Sequence, residues 1–268
     1  MEIEPPASSP STAGHDHHDH HGHVCWGAGH AGHSEHTLTV SSIEVRYGEV
    51  PALQDVAFDT RCGRSLALLG PNGAGKSSLI KVLAGILKPA AGTIRWRGAP
   101  LTAAHRELAY LPQRGEVDWA FPITVEGLVQ MGRYPHVGLW KRFGPHDHGI
   151  VTRALDAMKL TDLAQRQIGA LSGGQQQRAF IARALAQEAH VLLFDEPFTG
   201  LDQPAQEMLR QLFRDLTSEG RLLIASHHDL DSVPGIFDEV LLLQRRQIAF
   251  GPVAEAFTPE NVAATFYS

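Results

Sequence analysis

Cysteine is nearly missing from this chain: Cys25 and Cys62 are the two in 268 residues. That is too few for a disulfide framework, and a reducing compartment is the natural expectation. No apolar stretch approaches the roughly 20 residues that a membrane span needs. The opening residues lack the basic-then-apolar order of a secretory signal. A basic excess is missing as well, since the formal charge is −6, which argues against a nucleic-acid partner. There is no internal repeat. A soluble, cytoplasmic protein is therefore expected. Its 43% hydrophobic content suffices for a substantial core, in one large domain or two small ones.

What the sequence does contain is a phosphate-binding pattern in its proper setting. Gly70-Pro71-Asn72-Gly73-Ala74-Gly75-Lys76-Ser77-Ser78 fits G-x-x-x-x-G-K-S. Ahead of it, Ser65-Leu66-Ala67-Leu68-Leu69 is long enough for a buried strand. Behind it, Leu79, Ile80, Leu83, Ile86 and Leu87 recur at helical spacing until Pro89 stops the run. Side chains at Gly70, Gly73 and Gly75 would keep the backbone N–H groups from closing around a triphosphate. The helix N-terminus that follows adds partial positive charge where the phosphates would sit. Lys76 is expected to reach the β- and γ-phosphates, and the Ser77 hydroxyl to ligate magnesium.

Residues 1 to about 36 read as a flexible tail. Pro5, Pro6, Ser8, Ser9, Pro10 and Ser11 open it, and a tract of His15, His17, His18, His20, His21, His23, His30, His33 and His36 follows, with Asp16, Asp19 and Cys25 among them. Imidazole, carboxylate and thiolate are donors that zinc takes, so His17, His18, His20, His21 and His23 are candidate zinc ligands. A solvated tail is the bland alternative; an expression tag fits less well, because Asp and Gly interrupt the run. From Thr37 to residue 268 a packed domain is expected. Leu38, Val40, Ile43, Val45 and Tyr47 alternate like a strand, and Val56, Phe58 and Thr60 repeat the theme. Gly92–Gly98 and Leu108–Leu111 read as further strands. Val125–Met131 and Thr152–Leu160 are helical in spacing, with Gly138, Gly144 and Pro145 marking a loop between them. An Ala-rich helix is expected from about Gln176 to Gln187. His190–Glu196 and Arg221–Ser226 are buried strands, and Val240–Leu243 with Gln247–Phe250 is a hairpin. The sum is an α/β fold: a mostly parallel sheet, an antiparallel β flank and a helical insertion over about 114–175.

The strand that ends in Asp195-Glu196 is the natural partner of the phosphate loop. Asp195 is expected to hold magnesium, directly or through water, and Glu196 to polarise an attacking water. Between loop and strand stands Leu171-Ser172-Gly173-Gly174-Gln175.

These three motifs, in this order, resemble the ATPase subunit of an ABC transporter over nearly everything after residue 37. The resemblance implies a P-loop NTPase core of the RecA type, with ATP and Mg2+ as ligands. It implies that Tyr47 stacks on adenine, although a strand aromatic packing in the flank is also open. Gln113 matches the glutamine that senses magnesium, and Asp202, in Gly200-Leu201-Asp202, the loop that crosses to a second subunit. Adjacent His227 leaves a choice, and the family register selects His228 as the histidine at the γ-phosphate because it directly precedes Asp229. Ser172, Gly173, Gly174 and Gln175 are implied to close on the nucleotide of the other copy, so that two head-to-tail chains sandwich two ATP molecules. Ser78 stands where Thr is commoner but keeps the hydroxyl, and Thr199-Gly200 stands where Ser-Ala is often seen without touching Asp202; neither puts hydrolysis in doubt.

The string from Gln113 to Pro122, with Met131-Gly132-Arg133 and Asp195–Gly200, resembles the manganese, zinc and iron branch of ABC importers. Trp119 and Phe121 within it could equally be core aromatics. The branch implies membrane permease subunits, an extracytoplasmic metal-binding protein and a peripheral place on the cytoplasmic face of the membrane. The tail's donors lean towards zinc as cargo. An iron-chelate importer is the second reading, and a soluble ABC ATPase the third.

Overall fold

The computed structural model describes residues 36–101, 107–138 and 140–267. The candidate zinc ligands His17 to His23 lie outside them. The strands, in order, are β1 (Thr37–Tyr47), β2 (Val50–Arg61), β3 (Ser65–Leu69), β4 (Ala91–Trp96), β5 (Ala99–Pro100), β6 (Leu108–Leu111), β7 (Val191–Phe194), β8 (Leu222–Ser226), β9 (Glu239–Leu243) and β10 (Gln247–Pro252). The helices are α1 (Lys76–Leu83), α2 (Val125–Gln130), α3 (Tyr134–Val137), α4 (Pro145–Ala157), α5 (Gly173–Ala186), α6 (Gln203–Ser218), α7 (Val253–Ala256) and α8 (Pro259–Phe266).

One sheet has the order β10-β9-β3-β8-β7-β6, and every pairing in it is parallel except that of the edge strand β10. Its central strands are apolar without a break, as strands covered on both faces must be. The period of two then sorts each strand between two cores. Leu66, Leu68, Val191, Leu193, Leu222 and Ile224 face the antiparallel sheet β2-β1-β4-β5, with α1 between the sheets. Ala67, Leu69, Leu192, Phe194, Leu223 and Ala225 face α2, α4, α5 and α6. Each fully buried Leu or Phe is worth about 1.5–3 kcal/mol, so these two layers hold the loops at the strand ends in place.

The structure changes three sequence expectations. The helix after the phosphate loop stops at Leu83, because Gly85 takes φ +70 and turns the chain, which leaves Ile86 60% exposed. The helix expected at Thr152 begins at Pro145, a residue suited to a first turn, where the Gly144 N–H donates to Asp147 Oδ2 at 3.0 Å. Sequence reading passed over α6, although Leu209, Leu212, Phe213 and Leu216 lie buried at helical spacing along it and Asp202 caps it.

Candidate nucleotide-binding site

The loop between β3 and α1 wraps an open cleft of about 790 Å³, lined by Asn72 to Ser78, Tyr47, Gln113, Glu196, Thr199, His228 and Arg245. Lys76 begins α1, and its Nζ donates to the carbonyls of Gly70 at 2.7 Å and Pro71 at 3.0 Å. Burial pushes its pKa down, and the charges of Glu196 and Asp195 oppose that shift. The Tyr47 hydroxyl lies 3.2 Å from Ser78 Oγ, while the residue as a whole stays half exposed at the rim.

The chain's own packing gives two of the loop glycines a reason that the pattern does not report. A Cβ on Gly70 would come within 2.1 Å of the Leu243 carbonyl oxygen. At Gly75 it would meet Leu53 Cδ2 at 2.3 Å and the Ala52 oxygen at 2.7 Å. At these two positions the packing of the loop against β9 and β2, together with positive φ, by itself requires glycine. Gly73, with φ +79 and no chain atom within 4 Å of its absent side chain, has a conformational reason.

Asp195 follows the last residue of β7 and is 1% exposed. Its Oδ1 accepts from Ser226 Oγ at 2.6 Å, whereas Oδ2 is buried and has no hydrogen-bond partner among the described residues. Burial raises its pKa, offset in part by the hydroxyls of Ser226 and Ser77. Ser226 also accepts the Glu196 N–H at 2.7 Å. That bond holds Glu196 at φ +52, a left-handed conformation that non-glycine residues rarely adopt, with its carboxylate accepting from Thr199 Oγ1 at 3.2 Å. An orphaned carboxylate oxygen on Asp195, near the Ser77 hydroxyl of a cleft that Gln113 also lines, offers hard oxygen donors and fits Mg2+.

The adjacent histidines part company. His227 is 3% exposed, packs on Phe198 and Phe237, and shares a 2.7 Å hydrogen bond with Ser232 Oγ. Burial takes its pKa down to about 4. His228 is exposed and lines the cleft.

Ser172, Gly173, Gly174, Gln175 and Asp202 lie elsewhere. They line a second cleft of about 660 Å³ that shares no lining residue with the first. Ser172 caps α5: its N–H donates to Gln175 Oε1 at 2.9 Å, and its hydroxyl accepts from the Gln175 N–H at 3.4 Å. Asp202 Oδ1 accepts from the Ala205 N–H at 3.0 Å at the start of α6. Arg114, Lys159 and Arg178 make the rim of this cleft cationic. Two residues of the first site escaped sequence reading for different reasons. Arg245 arrives through the β9–β10 turn, with no local signal. Ser226, behind the site, carried one: it is the polar end of an apolar strand.

Residues 53–199 match the ABC transporter family. The chain is 42% identical to the manganese transport system ATP-binding protein MntB of Halalkalibacterium halodurans, over 85% of this chain and 90% of the relative. It is 40% identical to the chelated iron transport system membrane protein YfeB of Yersinia pestis, over 85% and 78%. Among solved structures it resembles a transporter, described as of the metal-chelate type, in an inward-facing conformation, with 33% identity and a TM-score of 0.75 over 86% of this chain and 88% of the other.

Proposed function

The chain belongs to the ABC transporter ATP-binding family, and from that premise we propose that it is the ATP-hydrolysing subunit of an importer for a divalent metal ion. The observation that carries the catalytic part is the Ser226 hydroxyl, which ties Asp195 and Glu196 together beside the phosphate loop. In this reading the phosphates exchange with the Gly70 and Pro71 carbonyls for Lys76. Ser77, Asp195 and Gln113 would hold Mg2+, which would supply charge neutralisation at the phosphates. Glu196 takes the proton of the attacking water, His228 faces the γ-phosphate and Tyr47 faces the base.

The second cleft supplies the other half. A 14-residue helix starts there, in a cleft separate from the phosphate loop, and a helix N-terminus favours an anion. Two copies arranged head to tail would place the Ser172–Gln175 turn and Asp202 of one over the nucleotide of the other. No helix among the described residues is long and apolar enough to cross a membrane. The pore therefore belongs to separate permease chains, which the helical insertion over 114–175 would meet at the cytoplasmic face. An extracytoplasmic metal-binding protein would deliver the cargo.

Two observations pull apart on which metal is moved. The relatives named for manganese match over 85% of the chain, and this speaks to the whole machine. The histidine-rich tail favours zinc, but its composition speaks to what the tail holds rather than what the pore passes. Manganese is thus placed first and zinc second, with Zn2+ assigned to the tail. An iron chelate is the alternative that the YfeB likeness and the metal-chelate transporter favour. Glu196→Gln should bind ATP, accumulate as a dimer and stop turning over; hydrolysis near the wild-type rate would remove Glu196 as the base. Metal accumulation in cells lacking this chain, measured for manganese, zinc and iron together, decides the cargo, and unchanged uptake of all three would end the transport reading.

A further inference from the structure

Gln113 and Arg114 are neighbours in sequence, yet they line different clefts. The single 3-10 turn Arg114–Glu116 is fastened on both sides. Glu116 pairs with Lys81 on α1, the helix that the phosphate loop opens. On the other side, Arg114 Nη2 donates to Gln176 Oε1 at 3.1 Å, and Gln176 passes the contact on to the Ile168 carbonyl at 3.2 Å. The Arg114 guanidinium lies 5.7 Å from the centre of the Trp119 ring, whose Nε1 donates back to the Arg114 carbonyl at 3.1 Å. The guanidinium also covers Gly173: a Cβ there would sit 2.6 Å from Nη1 and 2.8 Å from Cζ. Glycine at 173 is what lets the planar group lie against the start of α5.

We propose that Arg114 is a positioning residue for hydrolysis, fixing the N-terminal turn of α5 to Gln113 so that the two clefts of one chain move as one piece. This rests on the ATPase reading above. Arg114 is exposed, so water competes for its guanidinium and its bond adds little to folding stability. Its effect lies in geometry, where a displacement of about 1 Å can cost roughly a hundredfold in rate. Lysine does not substitute, because only the planar fork can both stack on Trp119 and donate to Gln176.

The test is steady-state ATP hydrolysis by the full chain, comparing wild type, Arg114→Ala, Arg114→Lys, Gln113→Ala and the Gln113→Ala/Arg114→Ala double variant. Arg114→Ala should lower kcat roughly tenfold or more while KM for ATP stays within about twofold. Arg114→Lys should fail to restore it. The double variant should be no slower than the slower single one, because the two residues act in series. Losses that multiply in the double variant would overturn the proposal, as would wild-type kcat in Arg114→Ala or Arg114→Lys. Should Arg114→Ala not fold, judged by circular dichroism, Gly173→Ala displaces the guanidinium instead, and a wild-type kcat there overturns it equally. A wild-type chain that hydrolyses nothing would remove the ATPase reading and this proposal with it.

Discussion

Replacing Ser226 by alanine deletes one oxygen atom and two hydrogen bonds from the middle of the site. Ser226 is fully buried, so no water takes the place of its hydroxyl. The Glu196 N–H loses its acceptor, and an unsatisfied buried donor costs about 1–3 kcal/mol. Asp195 Oδ1 loses a donor to a charged group, worth about 1.5–3 kcal/mol, on a residue whose other oxygen already lacks one. The two terms share an atom and part of the strain is relieved, so the net loss is placed at about 3 kcal/mol. For a chain of this size that lowers Tm by roughly 6–12 °C, measurable by thermal unfolding of the nucleotide-free protein. Turnover should fall further than stability suggests. Glu196 at φ +52 keeps its place through that N–H, and without it the carboxylate drifts. We expect kcat to drop roughly ten- to a hundredfold, with little change in KM, because Lys76 and the loop are untouched. A variant that melts within about 2 °C of wild type and hydrolyses ATP normally would show that the bridge does not organise the site.

Other consequences follow from buried charge. Asp195→Asn keeps the acceptor for Ser226 and removes a carboxylate whose pKa burial raises; it should raise the Tm of the nucleotide-free protein while abolishing hydrolysis, and a lower Tm would contradict the assignment. His227 has a folded pKa of about 4, below the usual 6.5, so the native state prefers it neutral and the unfolded chain protonates first. Stability is therefore lost as pH falls from about 6.5 to about 4, by up to about 3 kcal/mol. Asp195, with its raised pKa, acts in the opposite sense, so comparison with His227→Gln isolates the histidine. Urea midpoints that shift identically with pH in both proteins would remove this account.

The phosphate loop, the strand ending in Asp195-Glu196 and the alternating strands of the flank were legible because each depends on local pattern: glycine spacing, apolar runs and a period of two. The boundary of α1 was not, because Ile86 continues the helical spacing while Gly85 ends the helix. The reason for Gly70 and Gly75 was hidden too. It lies in backbone and side-chain atoms of β9 and β2 that are distant in sequence, and no loop pattern reports them. The separation of the Ser172 turn from the phosphate loop was implied by the family resemblance alone, since it is a fact of topology. Both motifs precede or follow a strand of the same sheet, yet order along the chain does not say that they face different clefts.

That separation has a genetic side. Under the proposed pairing, a chain with Lys76 replaced still offers a sound second cleft, and a chain with Ser172 replaced still offers a sound first one. Neither works alone. Expressed together, they form mixed pairs in which one composite site is whole, so two recessive lesions in one gene would complement each other in trans, whereas two lesions in the same cleft would not.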